Sequence, residues 1–369
     1  MHADDMQTAL TLDAVFAATR LLSESVASLP LQTFRRSGGG KSRIDDPSLL
    51  REPSHHGTAY EWLQRAMVSL LLRGNAYGYI TEFTSDGEHP RRIEWLHPDD
   101  VSTDDDTLLR TMRSTGEPVW RYRGAPIPND RMVHIPGYTL PGQRLGLSPI
   151  AAYAMTTETG LSAKRFGRDW FRNGSIPSAV LETAEPVTQD QARTIKERFR
   201  AAVSGREPVV LGAGTSYKPI TVPPNESQFL ATIKATANTI AAIYGVPPER
   251  IGGEAASSRT YANREQESQD FVTFSLRPHL VKLEAHLSAL LPRPQYVKFN
   301  VDALIRADLL TRYQAHSLAL HDGWKSKDEV RELEDEPPLP DGQGAGFATT
   351  TGEGSAGMDR LQDAGRTNQ

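Results

Sequence analysis

The sequence predicts an α+β protein, because sheet-like and helix-like stretches are segregated along the chain instead of alternating as βαβ units. Three observations carry this. Residues 75–135 break into short strand-like runs separated by Gly, Pro and Asp clusters. Two long helical stretches, 148–172 and 225–245, flank a small unit with strands and a helix of its own. A still longer helical stretch, 262–291, keeps leucines at three-four spacing with Pro278 in its middle.

Taken in order, the first helix is expected over Asp13–Ser28, where Val15, Thr19, Leu22, Val26 and Leu29 fall on one face. Pro30 stops it and a strand follows at Leu31–Arg36. Thr58 and Glu61 have capping-box spacing before the helix AYEWLQRAMVSLLLRG, whose buried face is Trp62, Leu63, Met67, Leu70 and Leu71. Gly74 is its expected left-handed cap. The runs AYGYITEF, RRIEWL, VWRYR and RMVHIP then build a mostly antiparallel sheet.

Ser148-Pro149 starts a helix running to Arg172, about 37 Å at 1.5 Å per residue. Its apolar stripe is thin, and Lys164, Arg168 and Arg172 line one side at four-residue intervals. Such a helix packs against something beyond its own chain or spans between lobes. The compact insert from Ser175 to Pro224 offers the strand SAVLET, a helix capped by Thr188 and Gln191, and the strands PVVLG and YKPITV. Asn225 and Gln228 cap the next helix, with Phe229, Ile233, Ala237, Ile240 and Tyr244 on one face. An insert with both ends close together needs paired supports, so a stalk pair carrying a tip is the simplest geometry.

GVPPERIGGEAASSRTYANR reads as a mobile loop. In the helix after it Pro278 removes a donor and crowds the preceding turn, so a kink is expected there. The strand QYVKFNV, a helix over Asp308–Leu320 and a Ser326/Glu329-capped turn of helix close the ordered part. From Asp335 the Gly-, Pro- and Thr-rich sequence is expected to stay disordered.

Bulk properties narrow the function. The chain has 369 residues, 24% of them charged, no cysteine and a net charge of −5. Disulfides and thiolate metal sites are excluded, and no apolar run reaches the roughly 20 residues of a membrane span. A protein that grips DNA by neutralising phosphates shows a basic excess, and this one does not. SGGGKS resembles the end of a phosphate-binding loop, but Arg35 stands where the loop needs its first glycine, and Pro47 follows where the helix should begin. It reads as a glycine-rich turn. Neither HExxH nor GxSxG occurs, and His55-His56, His279/His286 and Asp99–Asp106 lack ligand spacing. The catalytic, metal and cofactor expectation is therefore none. The basic stripe Lys164/Arg168/Arg172 is a solvated or ion-paired face before it is anything else.

The order of phrases is more specific than any one of them. VFAATRLLSESVASLPLQTFRR, LLLRGNAYGYI, WLHPDDV, GLSPIAAYA, RFGRDWFRNGSIPSAVL, TIAAIYGVPPERIGG, YANREQESQDFVTFSLRPHLVKLE and HDGWKSKDEVRELEDEPPL follow one another from about Leu12 to Pro340. In that order they resemble tailed-bacteriophage portal proteins of the HK97 type. The resemblance implies a wing at 1–147, a first stem helix at 148–174, a clip at 175–224, a second stem helix at 225–246, a channel loop at 247–262, a kinked helix at 263–291, a wing return or short crown at 292–335 and a disordered tail at 336–369.

It further implies a ring, typically of twelve subunits, at one capsid vertex. Double-stranded DNA would pass non-specifically through the bore, and a terminase large subunit, the major capsid protein and a head–tail connector or adaptor would be its other partners. The protein would be made in the host bacterial cytoplasm and reside in the virion, with no membrane involved. Arg250, Arg259, Arg264 and Lys234 are then the candidates to face the channel, and Lys164, Arg168 and Arg172 the candidates for the stem or subunit contacts. One departure stands out: the family often ends in a helical crown, and here the chain becomes Gly/Ser/Thr-rich after Pro340. Two other readings stay open: a ring-forming capsid or connector component without a DNA channel, and a DNA-processing hydrolase.

Overall fold

The structure is a computed structural model, and it describes residues 5–38, 40–103, 120–173, 179–183, 186–204, 215–219, 226–254, 267–301, 309–334 and 336–347. The chain divides into two compact units, Met1–Thr260 with Asp270–Phe299, and Tyr261–Gln269 with Asn300–Gln369. Every strand pairing among the described residues is antiparallel.

In the first unit, α1 (Met6–Leu10) starts where the Asp5 carboxylate accepts from the Thr8 N–H at 2.9 Å. Helix α2 (Asp13–Ala27) buries Val15, Thr19, Leu22 and Val26, as its spacing predicts. Strands β1 (Leu31–Ser37) and β2 (Gly40–Ile44) form a hairpin with Ser37 opposite Gly40. Gly40-Lys41-Ser42 therefore lies in an extended strand, whose alternating N–H groups cannot converge on a phosphate. The sequence hid β2 because its residues are nearly all exposed and leave no apolar alternation to read.

After the single turn α3 (Ser48–Arg51), helix α4 (Ala59–Arg73) opens on the expected capping box. The Thr58 N–H donates to Glu61 at 2.5 Å and the Glu61 N–H donates back to Thr58 Oγ1 at 3.5 Å. Gly74 caps it at φ 68°, a left-handed conformation only glycine adopts without strain. Trp62 anchors the core: its indole N–H donates to the Ile93 carbonyl at 2.7 Å and its ring lies 5.0 Å from that of Trp95.

Strand β3 (Asn75–Phe83) is the centre of a three-stranded sheet, with β4 (Pro90–Leu96) on one side. Strands β5 (Val101–Thr103), β6 (Trp120–Tyr122) and β7 (Ala125–Ile127) make a small separate meander, and β8 (Met132–Pro136) completes the β3 sheet.

The single helix expected over 148–172 is two. Ser148 caps α5 (Pro149–Ala152) by accepting from Ala151 N–H at 3.3 Å. Tyr153 then leaves helical geometry at φ −114°, ψ 29°. The Thr156 and Thr157 N–H groups both donate to the Tyr153 carbonyl, and α6 (Ala154–Asn173) starts there.

Three of the four parts expected of the insert are among the described residues. Strand β9 (Ala179–Thr183) is followed by α7 (Gln189–Ser204), where Thr188 and Gln191 exchange capping bonds, and β10 (Thr215–Pro219) pairs back onto β9. The strand expected at 208–212 and the Asn225 cap lie outside the described residues. Helix α8 (Glu226–Tyr244) runs next to α6.

The long helix expected from 262 is described only from residue 267 and is not uniform. Phe271–Leu276 is π-helical, and Pro278 sits in the first turn of α9 (Arg277–Ala289). A proline removes a donor and crowds the carbonyl four residues back, and the wider π turn opens the ladder at that point. Strand β11 (Gln295–Phe299) returns to pair with β1 from Leu31 opposite Phe299.

The second unit holds α10 (Leu309–His321) and α11 (Lys327–Leu333), the latter with the expected Ser326/Glu329 capping box. Residues 336–347, expected without fixed structure, are ordered against α11. Asp328 Oδ1 accepts from the Leu339 N–H at 2.8 Å, the Asp328 N–H donates to the Gly344 carbonyl at 3.1 Å, and Arg331 Nε donates to the Pro337 carbonyl at 2.7 Å. The low apolar content of this segment hid a fold made of hydrogen bonds. Among the described residues no helix is long and apolar enough to cross a membrane.

Candidate functional site

The helix pair α6–α8 and the loop foot that leaves it carry most of the predicted site residues. The helices run side by side, and the residues they bury are few: Thr157, Gly160, Leu161 and Gly167 on α6, Thr236, Ala237, Ile240 and Ala241 on α8. Gly160 is the closest approach, since a Cβ there would lie 2.8 Å from Thr236 Cγ2 and 2.9 Å from Leu12 Cδ2. Away from these residues Tyr153 and Met155 point into solvent, Met155 at 83% exposure.

At the end of α8 the chain turns into a one-turn helix, Pro248–Ile251, pinned from several directions. Val246 and Ile251 are buried, Ser275 Oγ donates to the Gly245 carbonyl at 2.5 Å, and the Glu254 N–H donates to Asn238 Oδ1 at 3.0 Å. The foot of the predicted loop is thus fixed, and residues 255–266 lie outside the described ones.

Two of the four channel candidates are committed within the chain. The Arg250 guanidinium lies over the Phe271 ring, 4.7 Å from its centroid. Lys234 pairs with Glu254 at 2.5 Å, both side chains at least half exposed, which makes the pair worth about 1 kcal/mol or less. Arg259 and Arg264 fall outside the described residues.

The basic stripe on α6 is not a free cationic face. Lys164 reaches back to the start of α2, bonding Asp13 at 2.7 Å and the Thr11 carbonyl at 3.1 Å. Arg168 pairs with its neighbour Asp169 at 2.8 Å. Arg172 belongs to α6, and its side chain is outside the description. Among the described residues no group of three or more His, Cys, Asp or Glu could hold a metal ion.

A feature that sequence reasoning missed is the joint where the β3 sheet meets α5. The Gly137 N–H donates to the Gly74 carbonyl at 2.6 Å, and a Cβ on Gly137 would stand 2.8 Å from that same oxygen. A Cβ on Gly146 would overlap the Gly74 carbonyl as well, and one on Gly74 would overlap the Leu147 carbonyl. Asn75 stitches the crossing: its Nδ2 donates to the Arg73 and Gly146 carbonyls, and its Oδ1 accepts from the Gly146 N–H at 2.8 Å. Two carbonyl acceptors fix the orientation of that amide, so His134, 2.9 Å from Oδ1, must donate its Nε2–H. Burial, with the positive charges of Arg144 and His286 nearby, pushes His134 down to about 4. The adjacency Gly74-Asn75 after an apolar helix was the one available signal.

The family model for phage portal proteins matches residues 13–335. The probable portal protein of Streptomyces phage phiC31 is 33% identical over 95% of this chain and 80% of its own length. The portal protein of Enterobacteria phage HK97 is 27% identical over 90% of this chain and 80% of its own. Among solved structures, a chain from the neck of a native gene transfer agent particle, computed with C12 symmetry, superposes with a TM-score of 0.61 at 23% identity, covering 90% of this chain and 93% of that one.

Proposed function

The chain belongs to the phage portal protein family, and from that premise we propose that it closes into a ring at one capsid vertex and forms the conduit by which the double-stranded genome enters and leaves. The observation that carries this reading is the family match over residues 13–335, which includes the helix pair, the insert and the loop foot.

The physical features agree with it. Helices that bury only a few residues within their own chain suit a ring, where each packs again on the next subunit. A net charge of −5 suits a bore through which DNA slides, since few phosphates are neutralised. Twelve subunits is the reading favoured by the C12 symmetry of the gene transfer agent neck.

In this assignment residues 1–147 are the wing, 148–174 and 225–246 the stem, 175–224 the clip and 247–262 the channel loop. Arg259 and Arg264 steady the duplex by touching phosphates without reading bases. Arg250 and Lys234 brace the loop foot through Phe271 and Glu254. The family is one of structural proteins, so ATP chemistry falls to a terminase large subunit, with the major capsid protein and a connector or adaptor as the other neighbours in the virion.

Electron microscopy of the purified chain at high concentration tests the conduit. End-on rings with a bore of roughly 20 Å or more, enough for a duplex whose major groove alone is about 12 Å wide, are expected. Closed rings without a bore would favour a connector component that passes no DNA. Replacing Arg259 and Arg264 together by Ala is expected to impair packaging while rings still assemble; unchanged packaging removes both from the channel assignment.

A further inference from the structure

The hairpin β1–β2 holds a motif that the conduit leaves unused. Between Leu31 and Ile44 stand Arg35, Arg36, Lys41 and Arg43, with no Asp or Glu among them, in a chain whose net charge is −5. All four residues are exposed. The two strands are joined through Gly38-Gly39-Gly40. A Cβ on Gly38 or Gly40 would meet nothing within 4 Å, so packing does not ask for glycine at either position. Glycine there keeps the tip bare and its main chain open to close approach, with the cations standing beside it.

Register divides the side chains of the sheet β11–β1–β2 between two faces. Thr33, Val297 and Phe299 are buried on one of them. Phe34 lies opposite Tyr296 on one flank and Arg43 on the other, and Arg36 lies opposite Lys41, so these five share the outward face. The Phe34 and Tyr296 rings stack at 5.8 Å. The Arg36 guanidinium lies 5.3 Å from the Tyr296 centroid, and the Lys41 ammonium 5.3 Å from that of Phe34. Rings place these two cations without neutralising them, as carboxylates would. Lys298 on the same face differs, being paired with Glu284. Asp46, two residues past the hairpin, turns inward and accepts from the Thr33 N–H at 3.1 Å and its hydroxyl at 2.7 Å.

We propose that the outward face of this hairpin binds the phosphate backbone of double-stranded DNA without reading bases, as a second contact separate from the channel loop. Phe34 and Tyr296 stack on each other beneath Arg36 and Lys41, which leaves no open ring for an unpaired base to stack on. Phosphates are what such a face can hold. An acidic protein surface fits worse. Protein interfaces have an apolar centre, and among the described residues of the hairpin no large apolar side chain is exposed. Nucleic-acid interfaces are polar and strongly cationic, as this face is. The contact needs neither ring closure nor the channel loop.

The test is duplex binding by the purified chain. Replacing Arg35, Arg36, Lys41 and Arg43 together by Gln should weaken binding of a short fluorescent duplex of mixed sequence at least about tenfold at about 50 mM salt. It should also make the fall of log K with log salt shallower by about 2–4, at about 0.9 for each phosphate contact. Melting temperatures report that the variant is folded. Arg259→Ala with Arg264→Ala should leave the loss caused by the hairpin substitutions unchanged. The chain has no cysteine, so Ser37→Cys at the tip can carry a benzophenone, with exposed Glu24→Cys on α2 as the control. On irradiation S37C should attach to the duplex and E24C should not. Four results each overturn the proposal: unchanged binding by the quadruple variant, no more attachment from S37C than from E24C, no duplex binding by the wild type, or polyglutamate held as tightly as the duplex. The last would put an acidic protein on this face. Should the quadruple variant fail to fold, the S37C labelling decides. A chain that passes these tests yet never closes into rings overturns the conduit reading alone.

Discussion

Helix α4, of 15 residues, and helix α6, of 20, bury them differently. In α4 eight of fifteen residues are buried, among them Trp62, Met67 and Leu72. In α6 four of the sixteen residues from 154 to 169 are buried, and two of those are glycines. The first helix is fastened by its own chain over more than half of its residues. Among its described side chains the second buries few and leaves most exposed or half-buried. The two differ in where their stability comes from: intrachain burial in one, and in the proposed ring, neighbours in the other.

The strongest way to break the α4 side is Trp62→Ala. It removes a side chain that is 1% exposed, its contact with Trp95 and its bond to the Ile93 carbonyl, and should cost about 3–5 kcal/mol in denaturant unfolding of the monomer. A loss under about 1 kcal/mol would mean that this core is not what holds the unit together.

Comparable in size is acid. The folded His134 is pushed from 6.5 to about 4 and His279 likewise to about 4, both by burial first. Between those values the unfolded chain binds protons that the folded chain does not. Stability therefore rises with pH across the window from 4 to 6.5, and is lost as pH falls through it, by about 3 kcal/mol at most for each ring. Urea midpoints at pH 7, 5.5 and 4.5 should show the fall, and a His134→Gln variant should flatten about half of its slope.

The smallest effect sharpens the α6 side. Gly160→Ala inserts a methyl against Leu12 and Thr236 and should destabilise by about 1–3 kcal/mol. Because the helix pair is held by few buried residues, a slight parting should also lower ring yield. An alanine accepted with no change in either would mean that the approach at Gly160 is not a tight contact.

Much of this was legible beforehand. Both capping boxes, the Gly74 cap, the Thr188/Gln191 cap and the thin stripe of α6 follow from local spacing, and local spacing is what sequence displays. The break at Tyr153, the π turn before Pro278 and the folding of 336–347 onto α11 were not legible. Each depends on partners or ladder geometry that no short window contains. The candidate site divides the same way. That Arg250, Lys234 and Lys164 are cations was plain, but Phe271, Glu254 and Asp13 lie 21, 20 and 151 residues from them, and spacing says nothing about such meetings. The meeting of Asn75 and His134, 59 residues apart, is hidden for the same reason.

The crossing of Gly74, Gly137 and Gly146 is a hinge pin made of main chain. Where side chains interlock, a fold's geometry shifts each time one of them is exchanged for a bulkier or slimmer neighbour. Here peptide groups lie directly on peptide groups, and every peptide group is the same whatever residue carries it. Relatives could replace nearly all the surrounding residues, and so long as those few positions carry no side chain, the sheet would still meet the helix at the same distance.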